Sequence, residues 1–174
     1  MNRKNSAAKK VAFLGIMGAL ALSLSFIESL IPPLPGLPPG VKPGFSNVVT
    51  MFLASCSGIS DAFLITILKS AFAGITRGTT AMLMSAVGGL LSTLAACILL
   101  RSSKIKFGYI GIGIICAVCH NIGQLMVACF LSGTWALVTG YGPILMLFAV
   151  ATGFVTGTTL KLVLPALEKI FNRL

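Results

Sequence analysis

Long apolar runs, interrupted early by a segment holding six of the chain's eight prolines, constrain this sequence more than any other feature. A helix crossing a bilayer needs about 20 apolar residues, with a range of roughly 17–25. Val11–Ile31, Thr80–Leu100, Tyr109–Leu131 and Pro143–Leu164 each meet that length. Pro32–Pro43 (PPLPGLPPGVKP) cannot be helical, because its prolines lack N–H groups and clash with the preceding turn. Two shorter apolar segments remain, Asn47–Gly58 and Asp61–Thr76. They read as two short helices joined at Ser57–Ser60, or as one long broken helix. Ser60 or Asp61 is a plausible N-cap for the second. Pro143 suits the first turn of the last helix.

Charge agrees with a membrane setting. Only 9% of residues are charged, against roughly 25% in a soluble domain. The net charge is +10, with 13 Lys/Arg and three acids, Glu28, Asp61 and Glu168. The basic residues sit at the ends of apolar runs, a pattern that speaks for membrane orientation and against nucleic acid. With six helices and both termini cytoplasmic, the inner ends hold Arg3, Lys4, Lys9, Lys10, Arg101, Lys104, Lys106, Lys169 and Arg173. The outer side holds only Lys42 and Arg77. Five helices would weaken this asymmetry. The expectation is therefore an all-α integral membrane protein, a single transmembrane domain over residues 1–174. Residues 1–10 form a basic cytoplasmic N-terminus and residues 32–46 a proline-rich outer loop. The first apolar run is too long for a signal-peptide core and reads as a retained helix.

Ionisable and polar groups inside apolar segments are costly and invite a functional explanation. Lys69 lies midway along the third segment, and Arg77 follows eight residues later on nearly the same helix face. On the fifth, His120 and Gln124 form an i, i+4 pair, with Asn121 adjacent and Gly123 leaving room beside them. Glu28 near the outer end of the first helix offers a counter-charge to Lys42 or Arg77, and Asn47 opens the second helix. Trp135 and Tyr141 fall in the last outer loop as interfacial anchors or as platforms for a planar ligand. In this topology Lys42, Asn47, Lys69, Arg77, His120, Asn121 and Gln124 share an outward pocket suited to an anionic solute. The competing reading of each is structural: snorkelling for Lys69, interfacial anchoring for Arg77, an interhelical network for the His-Asn-Gln group.

Small residues recur at four-residue spacing: Ala8/Ala12, Gly15/Ala19, Ser85/Gly89 and Gly153/Gly157. Such pairs let helix backbones approach closely. They serve internal packing or, on the first helix through Ala12, Gly15 and Ala19, a partner.

Catalysis and cofactors find little support. Cys116-Ala117-Val118-Cys119-His120 matches the pattern for covalent haem attachment, but lies inside an apolar helix, where that chemistry does not occur. One His and scattered acids give no metal set, and no ATP-binding loop is present. The chain reads as no enzyme, with no covalently bound cofactor and no metal.

Four segments carry a resemblance: Lys42-Pro43-Gly44-Phe45-Ser46-Asn47-Val48-Val49-Thr50, Asp61-Ala62-Phe63, Ala117 to Leu125 around His120-Asn121-Ile122-Gly123-Gln124, and Thr152-Gly153-Phe154-Val155-Thr156-Gly157. They resemble the Gx transporter family, labelled heptaprenyl diphosphate synthase component I, over about residues 10–165. That family is similar to the substrate-binding S component of energy-coupling factor (ECF) transporters. The resemblance implies a six-helix bundle in the bacterial cytoplasmic membrane that takes up a vitamin-like or cofactor-like solute. A long loop after the first helix would lid the pocket. Small residues on that helix would dock on a transmembrane coupling subunit, and ATP would be used only by two partner ATPase subunits. Lys69 departs from the Arg often found there, keeping the charge and losing the bidentate fork. The synthase label sits poorly with a chain that has a single Asp, since prenyl elongation needs aspartate-rich magnesium sites. The alternative is a non-transporting membrane subunit of a redox or prenyl-quinone assembly.

Overall fold

A computed structural model describes residues 3–30, 44–102 and 107–171. Among these there are six helices and no strand: α1 (Arg3–Leu30), α2 (Asn47–Cys56), α3 (Ile59–Arg77), α4 (Thr79–Arg101), α5 (Tyr109–Ser132) and α6 (Ala136–Phe171). All except α2 are long and apolar enough to cross a membrane. Their outward faces carry large apolar side chains such as Ile75, Phe130, Leu147 and Leu162, which only lipid solvates without cost. The chain is a multi-pass membrane protein.

Helix α2 is the short one among the six expected helices. Its 10 residues rise about 15 Å, half of a hydrocarbon core about 30 Å thick. The physical reason is its place in the bundle. Val49, Met51, Phe52, Leu53 and Ala54 are buried on every side, as expected of a helix that is apolar all round. Helix α2 fills the middle of the molecule, packing on α1, α3, α4 and α6, so protein rather than lipid surrounds it. Around it runs an open ring in which α1 packs on α3, α3 on α4, α4 on α5 and α5 on α6. The ring opens between α6 and α1, where Met17, Leu24, Phe52, Leu160 and Leu164 line an apolar cleft. The residues 47–76 resolve as two helices, α2 and α3, with the break at Ser57 and Gly58.

Lipid tails are as apolar as leucine, so close backbone packing has to hold these helices together. Glycines supply it at two crossings. A Cβ at Gly113 on α5 would strike the Gly153 carbonyl oxygen and lie 2.7 Å from Gly157 Cα, both on α6. A Cβ at Gly123 on α5 would lie 2.6 Å from Gly88 Cα on α4. The predicted Gly153/Gly157 pair is thus spent on an internal contact.

One end of the bundle is fastened by polar contacts. Lys10 on α1 pairs with Asp61 on α3 at 2.9 Å. Arg101 Nε on α4 donates to the Ala54 carbonyl on α2 at 2.9 Å, and Cys56 Sγ meets Glu168 Oε1 on α6 at 3.6 Å. The start of α1 and the end of α6 therefore share one end with most of the described basic residues. The positive-inside rule expects such an end to face the cytoplasm.

Three local expectations are corrected. Helix α3 begins at Ile59 with Gly58 at its N-cap, so neither Ser60 nor Asp61 caps it. Asp61 lies in the first turn and accepts from Ser57 and Lys10 instead. Pro143 is inside α6, which starts at Ala136. Gly133 ends α5 in the left-handed conformation (φ 65°), and the Thr134 hydroxyl then accepts from the Ala136 N–H at 3.2 Å. This start precedes the proline by two turns. The helix continues through Pro143, a break of the ladder that neighbouring helices make tolerable in membranes. Tyr141 consequently lies on α6, not in a loop, and Trp135 stands just before it.

Candidate functional site

The polar cavity is built from five segments meeting in the half of the bundle opposite the fastened end. Its walls come from Ser25 and Glu28 on α1, Gly44 and Ser46 before α2, Lys69 and Arg77 on α3, Met84 and Ser85 on α4, and His120 and Gln124 on α5. Empty, it has room of about 20 Å³, near the volume one water-sized probe occupies.

Each charged group is held by a neighbour from another element. Lys69, only 4% exposed, donates from Nζ to Asn47 Oδ1 at 2.7 Å. Asn47 is the first residue of α2, whose entry into the bundle brings the amide beside the ammonium. Glu28 accepts from the Ser46 backbone N–H at 2.8 Å and from its hydroxyl at 3.4 Å. Gln124 lies 2.6 Å from His120 Nε2, through the i, i+4 geometry expected from their spacing. With the Gln124 amide nitrogen facing it, Nε2 accepts, and the ring is neutral.

The turn before α2 closes the arrangement. Gly44 has φ 82°, a left-handed conformation that glycine adopts at least cost. Its carbonyl accepts from the Asn47 N–H at 3.0 Å. A Cβ there would lie 2.9 Å from Asn47 Nδ2 and 3.1 Å from His120 Cδ2. Gly44 is therefore required twice, for its torsion and for its closeness to α5. The segment 44–47 touches α1 through Ser46, α3 through Asn47 and α5 through Gly44.

Of the residues expected to bind solute, the structure brings Asn47, Lys69, Arg77, His120 and Gln124 to this place. Arg77 is half-buried at the mouth end of α3. Asn121 is not among the lining residues. It sits one step from His120, turned toward α6, where its Nδ2 donates to the Leu145 carbonyl at 3.0 Å. Lys42 lies outside the described residues. Trp135 lines a separate apolar groove with Met126 and Pro143, away from the charged cluster. Sequence reasoning treated Glu28 as a counter-charge and missed Ser46 and Ser85. The glutamate itself was the available signal, since a carboxylate this deep in an apolar helix needs donors.

On α1, Ala12, Gly15 and Ala19 are exposed, and nothing lies within 4 Å of a Cβ added at Gly15. The opposite face of α1 is buried through Phe13, Met17 and Ala21. Cys116 packs in the core and Cys119 is partly buried, both as free thiols.

A family model described as heptaprenyl diphosphate synthase component I matches residues 17–163. The chain belongs to this family, also called the Gx transporter family. The match spans α2 through α5, the second half of α1 and most of α6, and so takes in every described residue of the polar cavity. Comparison with curated proteins gave no match, and comparison with solved structures gave none.

Proposed function

We propose that this Gx transporter family protein is the solute-binding S component of an ECF-type uptake transporter. Its solute is a vitamin-like or cofactor-like anion. The observation that carries the reading is the buried Lys69 in a polar cavity of an otherwise apolar bundle. A membrane protein that merely needed to fold would replace such a group, because a buried ion is costly. The solute would enter from the outer side, beside the 44–47 segment, and reach Lys69 within the cavity. The exposed stripe of Ala12, Gly15 and Ala19 would dock on a transmembrane coupling subunit, whose two ATPase partners drive release to the cytoplasm.

The family description favours a second reading, a non-transporting subunit of a prenyl-quinone or redox assembly. A single Asp in the sequence speaks against prenyl transfer by this chain itself. Purification of the tagged protein from its native membrane in mild detergent, with mass spectrometry of retained proteins, separates the two. The transporter reading predicts a coupling subunit with paired ATPases. Quinone-pathway or redox proteins without any ATPase would overturn it.

A further inference from the structure

We propose that the cavity selects a head group with one negative charge, a carboxylate, and that Glu28 is the residue that excludes heads with two or more. The inference rests on the solute-binding reading above and specifies what the site accepts. Among the described lining residues, two cations, Lys69 and Arg77, face one carboxylate, Glu28. His120 adds no charge while its Nε2 accepts from Gln124. The balance among these described residues, Lys42 lying outside them, is one positive charge.

The hydrogen bonding keeps that charge available. Glu28 and the two cations share the cavity, yet among the described residues the only ion pair is Lys10–Asp61 at the far end. The Glu28 carboxylate is engaged by Ser46 instead, through both its backbone N–H and its hydroxyl. Lys69 is left with a neutral partner, the Asn47 amide. An ammonium has three donors, so Lys69 can bind an incoming oxygen without giving up Asn47. A ligand with one negative charge neutralises the cluster and relieves the cost of a buried, uncompensated ion. Among the described lining residues no further cation balances a second negative charge, which would lie in the same small space as Glu28.

The test uses the full-length protein in lipid nanodiscs, with melting temperature read against added sodium acetate, hexanoate, benzoate, phosphate or pyrophosphate at matched ionic strength. At least one monocarboxylate should raise the melting temperature of the wild type in a saturable way, since a ligand that binds only the folded state stabilises it. Pyrophosphate should not, nor should phosphate at a pH above its second pKa, where it is a dianion. Lys69→Met should abolish the carboxylate response. Glu28→Gln should gain a pyrophosphate response, binding it about tenfold or more tightly than the wild type does. Pyrophosphate stabilising the wild type as well as a carboxylate does would overturn the proposal. So would the absence of any carboxylate response in the wild type, which needs no variant to fold. The outcome is independent of the transporter reading. A carboxylate response without co-purifying ATPases keeps the charge rule and fails the transporter, and a pyrophosphate response with ATPases does the reverse.

Discussion

Two glycine-containing faces of this molecule carry the same small-residue spacing and have opposite surroundings. Along α5 and α6, Gly113 and Gly157 press backbone against backbone, 2.7 Å from where a Cβ would stand. Along α1, Gly15 meets nothing within 4 Å, and Ala12 and Ala19 beside it are exposed. In lipid, where apolar side chains gain little by leaving the solvent for each other, a small-residue face is useful only where another backbone comes close. The α5–α6 face has found that backbone within the chain. The α1 face has not, and α1 packs on α2 and α3, with Phe13 also meeting Phe171 of α6. The difference separates a face that folds the protein from one available to a second protein.

Substitutions should divide along that line. Gly113→Leu should have the largest effect, because its side chain must displace the α6 backbone rather than a flexible neighbour. Overpacking typically costs about 1–3 kcal/mol and sometimes more. The expected outcome is little folded protein in detergent, read by size-exclusion profile and melting temperature. Gly123→Ala should follow, with a smaller loss of melting temperature as α4 and α5 are pushed apart at Gly88. Breaking the Lys10–Asp61 pair with Lys10→Ala should cost at most about 1 kcal/mol, because Lys10 is half exposed and Asp61 keeps its Ser57 donor. Gly15→Leu should change stability least, by less than about 0.5 kcal/mol, as expected of an exposed site. A melting temperature as low as that of Gly113→Leu would erase the distinction between the faces. Lys69→Met sharpens it from the other side: solute uptake by cells should fall at least about tenfold, the loss of one buried charged contact, while partner recovery persists.

The spans were largely legible, because length and apolarity are local properties. The i, i+4 spacing of His120 and Gln124 correctly placed both on one face, and the same geometry turns Asn121, one residue on, toward α6. Lys69 and Arg77 were singled out because charge inside an apolar helix is costly, although snorkelling and interfacial anchoring competed as readings. What stayed hidden depended on distant partners. Glu28 and Ser46 are 18 residues apart, separated by the proline-rich segment, and no periodicity predicts that they meet. Helix α2 was legible as an apolar but short helix, while its interior position is set by what surrounds it. The start of α6 was misplaced because Pro143 was given priority over Gly133 and Thr134, which together end one helix and begin the next.

The most direct test of the account is recovery of a coupling subunit from native membranes with tagged wild type, Gly15→Leu and Lys69→Met in parallel. The account predicts that wild type and Lys69→Met retain a transmembrane coupling subunit and two ATPases, and that Gly15→Leu loses them at an unchanged melting temperature. Equal recovery by Gly15→Leu would contradict the docking role of α1. No ATPase with any of the three would contradict the transporter itself.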